Sequence, residues 1–282
     1  MTPRSQGGDG PLVVKLGGAL LDDAGRFPGV FDALARMHQL HRGGLVIVHG
    51  GGKAIDRQLD RLGLRTERRE GIRITPPEAV EQVTAVLAGA MNTQLLGLLL
   101  SRGASAVGLT LSDGHLARAR KATQYAFDAG RVGELAGGDG ALVSHLLAGG
   151  YLPVLSSIAV CEAGGFLNVN ADDAAAQLAG ILKASGLLLL TDVPGVKGAD
   201  GAVIPELDEE RAEALVADGT VTGGMIAKVR GAVDAARRAG VPVVIASWAD
   251  PAALEALAAG ARVGTRILPG IAAAVAAEGA VQ

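Results

Sequence analysis

The sequence predicts an α/β protein, a three-layer αβα sandwich around a mainly parallel sheet, divided into two lobes. Short aliphatic runs alternate with segments of helical periodicity along the chain, the pattern of a sheet covered by helices. Several runs end in glycine turns that pass straight into a helix, as βα units do. With 49% hydrophobic and only 2% aromatic residues among 282, the core must be aliphatic. A chain this long stands where one core divides into two. The division is placed near 182–186, giving lobes 11–183 and 184–282.

The opening run, Leu12 to Val14, is short, apolar and bounded by Pro11, as suits a buried parallel strand. It leads into Lys15-Leu16-Gly17-Gly18, where glycines let backbone amides approach an anion and a lysine adds a mobile positive charge. Segment 31–41 has helical spacing, and 45–48 is a second strand. His49-Gly50-Gly51-Gly52 then leads into a helix over 54–62. Such a turn exposes amides at a helix N-terminus, where negative charge is favoured.

Segment 67–75 reads as a charged connection holding Arg68, Arg69 and Arg73. The helix expected over 78–101 is apolar enough to be covered on more than one side, by the core or by a second subunit. A strand over 104–109 and a basic, glycine-punctuated hairpin over 112–134 follow. The hairpin lacks the interleaved aromatics of a nucleic-acid surface. A helix over 141–148 and a strand over 151–156 precede a turn at 161–165. Leu167-Asn168-Val169-Asn170-Ala171-Asp172-Asp173 feeds a helix over 174–182 and holds more Asn and Asp than capping requires.

The most aliphatic strand, 186–191, ends in Asp192-Val193-Pro194-Gly195-Val196-Lys197, and 199–201 signals a hairpin turn. A helix over 208–218 leads to Thr220-Val221-Thr222-Gly223-Gly224 and a helix over 225–240. Lys228 lies early in that helix, against its dipole, which makes an anion-facing role credible. A strand over 241–246, a helix over 251–259, a strand over 264–267 and a frayed terminal helix complete the chain.

The totals narrow the function. A net charge of −3 gives no field for capturing nucleic acid. The single cysteine, Cys161, excludes an intramolecular disulfide framework, and the five histidines are scattered, so no protein-built metal site is expected. The first ten residues carry no signal-peptide core. No run is expected to span a bilayer, which takes about 20 apolar residues. A cytoplasmic protein with no nucleic-acid or membrane partner follows. Walker, Rossmann, protein-kinase and nucleophile-elbow motifs are missing. Glycine turns, two lysines, an arginine loop and an Asn/Asp stretch remain, an inventory that suits phosphoryl transfer.

In this order, Lys15-Leu16-Gly17-Gly18, His49-Gly50-Gly51-Gly52, Gly71-Ile72-Arg73-Ile74-Thr75, Asn168-Val169-Asn170-Ala171-Asp172, Thr191 to Val196 and Gly224-Met225-Ile226-Ala227-Lys228 resemble the motifs of amino acid kinases. The resemblance runs from about residue 11 to 268 and implies a substrate lobe followed by an ATP lobe. It implies phosphorylation of the γ-carboxylate of N-acetyl-L-glutamate by ATP with Mg2+, the metal held mainly by the nucleotide phosphates. It assigns Lys15 and Lys228 to the transferring phosphoryl group, with Asp172 holding both. Gly18, Gly51 and Gly52 would supply amides to phosphate and substrate, and Arg73 and Asn168 would grip the α-carboxylate. Asp192, Val193, Pro194, Gly195, Val196 and Lys197, with Thr220, Val221 and Thr222, would line the nucleotide site. A homodimer paired through the 78–101 helix is expected. The polar, glycine-rich N-terminus is not expected to form the extra helix of arginine-inhibited members, so neither arginine inhibition nor a hexameric ring is expected. Gly223 stands where relatives often carry aspartate, and the 113–134 hairpin is unusually basic, two departures that bear on nucleotide or substrate affinity. Another family member acting on glutamate or carrier-linked aminoadipate, and a sensor without catalysis, are the alternatives.

Overall fold

The computed structural model describes residues 10–270. Its elements begin with β1 (Leu12–Leu16), α1 (Gly18–Asp22), α2 (Pro28–Leu40), β2 (Leu45–His49) and α3 (Gly52–Arg61). Then come β3 (Glu67–Arg69), β4 (Ile72–Ile74), α4 (Pro77–Thr84), a π-helical segment Ala85–Met91, α5 (Asn92–Leu100) and β5 (Ala106–Leu109). The middle holds β6 (Ala119–Lys121), β7 (Val132–Leu135), α6 (Ala141–Ala148), β8 (Leu152–Ser156), β9 (Ile158–Val160), β10 (Phe166–Val169) and α7 (Ala171–Ile181). Last are β11 (Gly186–Thr191), β12 (Glu206–Leu207), α8 (Glu209–Ala217), α9 (Gly224–Ala239), β13 (Val243–Ser247), α10 (Pro251–Ala258) and β14 (Thr265–Ile267). The expected C-terminal helix, and the N-terminal stretch apart from Gly10, lie outside the described residues.

Eight strands form one sheet in the order β12-β14-β13-β11-β1-β2-β8-β5. All neighbours are parallel except β13 and β14. Successive side chains in its strands point to opposite faces. Val13, Val46, Val48, Leu187 and Leu189 therefore join the core beneath α7 and α9. Val14, Leu16, Leu45, Ile47, Leu188 and Leu190 join a second core with α2, α10 and the helix from Pro77 to Leu100. Two apolar faces make the sandwich. The sheet runs across the 183/184 division, because β1 pairs with β11 in register from Leu12↔Gly186 to Leu16↔Leu190.

Two expectations need correction. Segment 67–75 is a hairpin, not a plain connection. Arg69 pairs with Ile72 across Glu70 and Gly71, whose φ angles of 53° and 80° give the doubly left-handed turn that tight hairpins use. The sequence hid this turn because glutamate rarely adopts φ above zero. Second, Pro77–Leu100 is long and apolar enough by length and composition to cross a membrane, with mean hydropathy 1.6. Its inward side buries Val83, Leu87, Met91, Leu95 and Leu99 in the second core, which accounts for much of that apolarity. A smaller sheet, β6-β7-β10-β9, and the β3–β4 hairpin complete the fold.

Candidate active site

From β1 the chain steps to β2 on one side of the sheet and returns in β11 on the other. Strand order reverses there, and open α/β sheets bind ligands at the carboxyl ends of strands flanking such a point. Lys15 and the glycine turn at Gly17 and Gly18 close β1. The turn from Gly50 to Gly52 closes β2, and Asp192 to Lys197 follow β11. Sheet topology thus gathers turns that lie far apart in sequence.

Lys15, Gly18, Gly51, Gly52, Arg73, Asn168 and Asp172 line one cavity of about 220 Å³. Lys15 points to the α7 face of the sheet, and its Nζ lies 2.8 Å from Asp172 Oδ1. Asp172 stands in the first turn of α7, capped by Asn170, whose Oδ1 accepts from the N–H groups of Asp172 and Asp173. The cap satisfies helix donors and fixes the carboxylate beside Lys15. Asn168 donates through Nδ2 to Thr75 Oγ1 at 3.0 Å, while Thr75 donates to the Arg73 carbonyl. Arg73 Nη1 donates to Asp56 Oδ1 at 2.5 Å and Nη2 to the Gly52 carbonyl at 2.8 Å.

A second, larger cavity of about 640 Å³ shares Lys15, Gly71 and Asp172 with the first and reaches Thr191, Lys228 and Arg238. Both lysines therefore face one space. Their partners differ from expectation: Asp172 holds Lys15, while Lys228 donates to Asp192 Oδ1 at 2.5 Å. The physical reason is placement, since Lys228 on α9 meets the loop after β11 at that loop's first carboxylate.

The other residues expected at the nucleotide are anchored by the protein itself. Val196 is fully buried and donates its N–H to Thr265 Oγ1, while its carbonyl accepts from Ile204. Val221 is buried and donates to the Leu215 carbonyl; Val193 donates to Thr191 Oγ1 and Thr220 to Asp218. Pro194 and Gly195 continue this loop, and Lys197 bridges to Val203 across the hairpin turn expected at 199–201. Residues 193–197 and Thr220, Val221 and Thr222 line neither cavity.

Sequence reasoning missed Asp56, which takes Arg73 on one oxygen and Arg68 on the other, 2.8 Å away. Burial works to raise its carboxyl, but the hydrogen bonds and charge of Arg73, then of Arg68, outweigh it and hold Asp56 below the usual carboxylate range. Its signal was faint: one acid a turn into a charged helix. Lys228's hydrogen bond likewise holds Asp192 low. Asp173 is pushed up, chiefly by burial, although Arg238 pairs with it at 2.7 Å.

Glycine turns and paired lysines at the switch point of a parallel sheet define a protein that handles a transferring phosphoryl group. The model of the Amino acid kinase family matches residues 10–247, and the chain belongs to that family. It is 45% identical over 258 residues to an acetylglutamate kinase of Pectobacterium atrosepticum, covering 92% of this chain and 99% of the relative. It is 43% identical over 257 residues to an acetylglutamate kinase of Yersinia pestis, covering 91% and 98%. Among solved structures, N-acetylglutamate synthase from Neisseria gonorrhoeae, complexed with coenzyme A and N-acetyl-glutamate, superposes with a TM-score of 0.76 at 23% identity. That match covers 94% of this chain and 61% of the other, and it shows a common fold.

Proposed function

We infer that the chain transfers the γ-phosphoryl group of ATP to the γ-carboxylate of N-acetyl-L-glutamate, giving N-acetyl-L-glutamyl 5-phosphate and ADP, the second step of arginine biosynthesis. The near-full-length likeness to acetylglutamate kinases carries this reading. The acceptor carboxyl, which in water titrates at about 4.3, is already ionised at neutral pH. It needs no general base. It needs its repulsion from ATP overcome, and Lys15 and Lys228 supply positive charge on the space where the two anions meet. Asp172 orients Lys15, and Asp192 holds Lys228 until phosphate oxygens replace it.

The amides of Gly18, Gly51 and Gly52 suit phosphate and acceptor oxygens, and Arg73 with Asn168, which line the smaller cavity with them, suits the α-carboxylate. Lobe 11–183 serves the acyl amino acid and lobe 184–282 the nucleotide, through Asp192 to Lys197 and Thr220 to Thr222. Mg2+ would come with ATP, held mainly by phosphate oxygens and water, and would supply charge neutralisation there. The engagement of Asp172 and Asp192, each by a lysine, supports this. The working form is a cytoplasmic homodimer paired through the Pro77–Leu100 helix, whose outward side carries Ala85, Thr93, Gly97 and Leu100.

Hydroxylamine trapping of acyl phosphate, with N-acetylglutamate, glutamate, aspartate and N-acetylaminoadipate offered separately, tests the reading. Turnover is expected with N-acetylglutamate and not with the others. Turnover with a different acid alone removes the substrate assignment, and ATP binding without turnover removes the enzyme assignment.

A further inference from the structure

The motif residue that phosphoryl transfer leaves without a task is His49. It closes β2, is fully buried, and lies on the sheet face opposite Lys15. Its Nδ1 is 3.1 Å from the carbonyl of Gly50 and its Nε2 is 3.0 Å from Nδ2 of Asn92 on α5. Asn92 Nδ2 also lies 3.0 Å from the carbonyl of Val154. A carbonyl only accepts, so the Asn92 atom facing Val154 must be the amide nitrogen. That nitrogen has two hydrogens, one for Val154 and one for His49 Nε2. Nε2 is therefore the acceptor, and Nδ1 carries the proton that it gives to Gly50. Both ends of the ring require the same neutral tautomer.

The consequence falls on the catalytic turn. In a trans peptide the carbonyl and the following N–H point in opposite directions, and the described residues hold no cis bond. Pinning the Gly50 carbonyl against His49 therefore aims the Gly51 N–H away from the ring, in a turn whose Gly50, Gly51 and Gly52 line the smaller cavity. The surroundings allow little slack. A Cβ on Gly51 would overlap Met91, and one on Gly108 would overlap Asn92 Oδ1. Asn92 directly follows the π-helical segment that ends at Met91, so one helix both crowds Gly51 and fixes the ring that orients it.

We propose that His49 and Asn92 are positioning residues: Asn92 locks His49 in its Nδ1–H tautomer, and His49 turns the Gly51 N–H toward the anionic oxygens handled at this site. The role rests on the phosphoryl-transfer reading for its kinetic consequence, but the tautomer does not depend on it. Burial, partly opposed by the Gly50 hydrogen bond, also pushes the imidazole down to about 4, so the ring stays neutral at working pH.

The test combines imidazole nitrogen NMR on the full-length wild type with kinetics of Asn92→Leu, His49→Phe and His49→Asn. The wild-type spectrum is expected to show His49 protonated at Nδ1 only, unchanged between pH 7.5 and 5.5. Losing a whole oxyanion donor costs about 10²–10³ in kcat, and a misaimed one a fraction of that. Asn92→Leu and His49→Phe are each expected to lower kcat about tenfold with both KM values nearly unchanged. His49→Asn, which keeps an amide hydrogen near the Nδ1 position, is expected to recover most of that loss. A wild-type ring protonated at Nε2, or wild-type kcat in folded Asn92→Leu and His49→Phe, overturns the proposal. Should the variants fail to fold, the wild-type tautomer decides. An inactive wild type with the expected tautomer would defeat the functional reading and leave the positioning geometry standing.

Discussion

The two halves of the cleft hold their charges differently. On the proposed acceptor side the Arg73 side chain is 7% exposed and Asp56 26%; on the proposed nucleotide side Lys228 is 36% exposed and Asp192 59%. Charges withdrawn from water interact through a lower effective dielectric and are less screened by salt. The Asp56–Arg73 pair, further bound to Arg68 and the Gly52 carbonyl, is fixed before any ligand arrives. The exposed Lys228–Asp192 pair is one ammonium on one carboxylate, easily exchanged for a phosphate. On the proposed assignment the acceptor half is prebuilt, and the nucleotide half would be completed by its ligand. Lys15 stands between them, 17% exposed and tied to Asp172.

Kinetics give the sharpest contrast. Lys15→Ala and Lys228→Ala should each lower kcat by about 10²–10³, the usual cost of losing a group that stabilises charge only in the transition state. Arg73→Ala should instead raise KM for N-acetylglutamate, with KM for ATP nearly unmoved, because the contact proposed for Arg73 is to a part of the acceptor that does not react. Separate titration of each substrate checks this. If Lys228→Ala changes only KM for ATP, Lys228 binds the nucleotide without stabilising the transferring charge.

How far the sequence disclosed this arrangement depended on the range of the interaction involved. The strand-turn-helix units at 12–18 and 45–52 are local, so apolar runs and glycines revealed the sheet, its helices and the glycine turns. Lys15, Arg73, Asn168 and Asp172 then came from motif order, and they line one cavity. Partners escaped. Asp56 meets Arg73 across 17 positions and Lys228 meets Asp192 across 36, and neither spacing carries a periodic signal. The family resemblance implied that Asp172 holds both lysines, yet the loop after β11 offers Lys228 a nearer carboxylate, Asp192. The Glu70–Gly71 turn and the hydrogen bond between His49 and Asn92 were hidden for related reasons: one uses an untypical turn residue, the other joins positions 43 apart.

Stability should separate the halves by less than kinetics does. Asp56→Ala strands Arg73 in a nearly buried site, and breaking a buried pair costs about 3–5 kcal/mol. Because Asp56 itself remains partly open to water, about 2–3 kcal/mol is the expected loss. Asp192→Ala breaks an exposed pair and should cost under about 1 kcal/mol. Urea denaturation of both variants beside the wild type measures the difference. Equal losses would mean that burial does not distinguish the pairs.

The smallest effect is the pH dependence of stability, which arises on the prebuilt side of the molecule. Burial lowers the pKa of His49 to about 4 and also lowers those of His38 and His41, in each case against an opposing backbone hydrogen bond. The unfolded chain takes up protons on these rings near pH 6.5, while the folded chain resists until lower pH. Between those values the unfolded state binds more protons, so stability is complete above about 6.5 and falls as the pH drops toward 4. His49 alone contributes a slope of at most about 1.4 kcal/mol per pH unit. The lowered Asp56 and Asp192 carboxyls act only further down, since their unfolded values lie near 3.9, while the raised Asp173 carboxyl works with the opposite sign, so the pH series from 7.5 to 5.5 is read in an Asp173→Asn background to isolate the histidines. Urea midpoints should be level above pH 7 and lower at 5.5. A midpoint unchanged at pH 5.5 would show that His49 can be protonated in place, and the rigid glycine turn would then not be what sets the acceptor half apart.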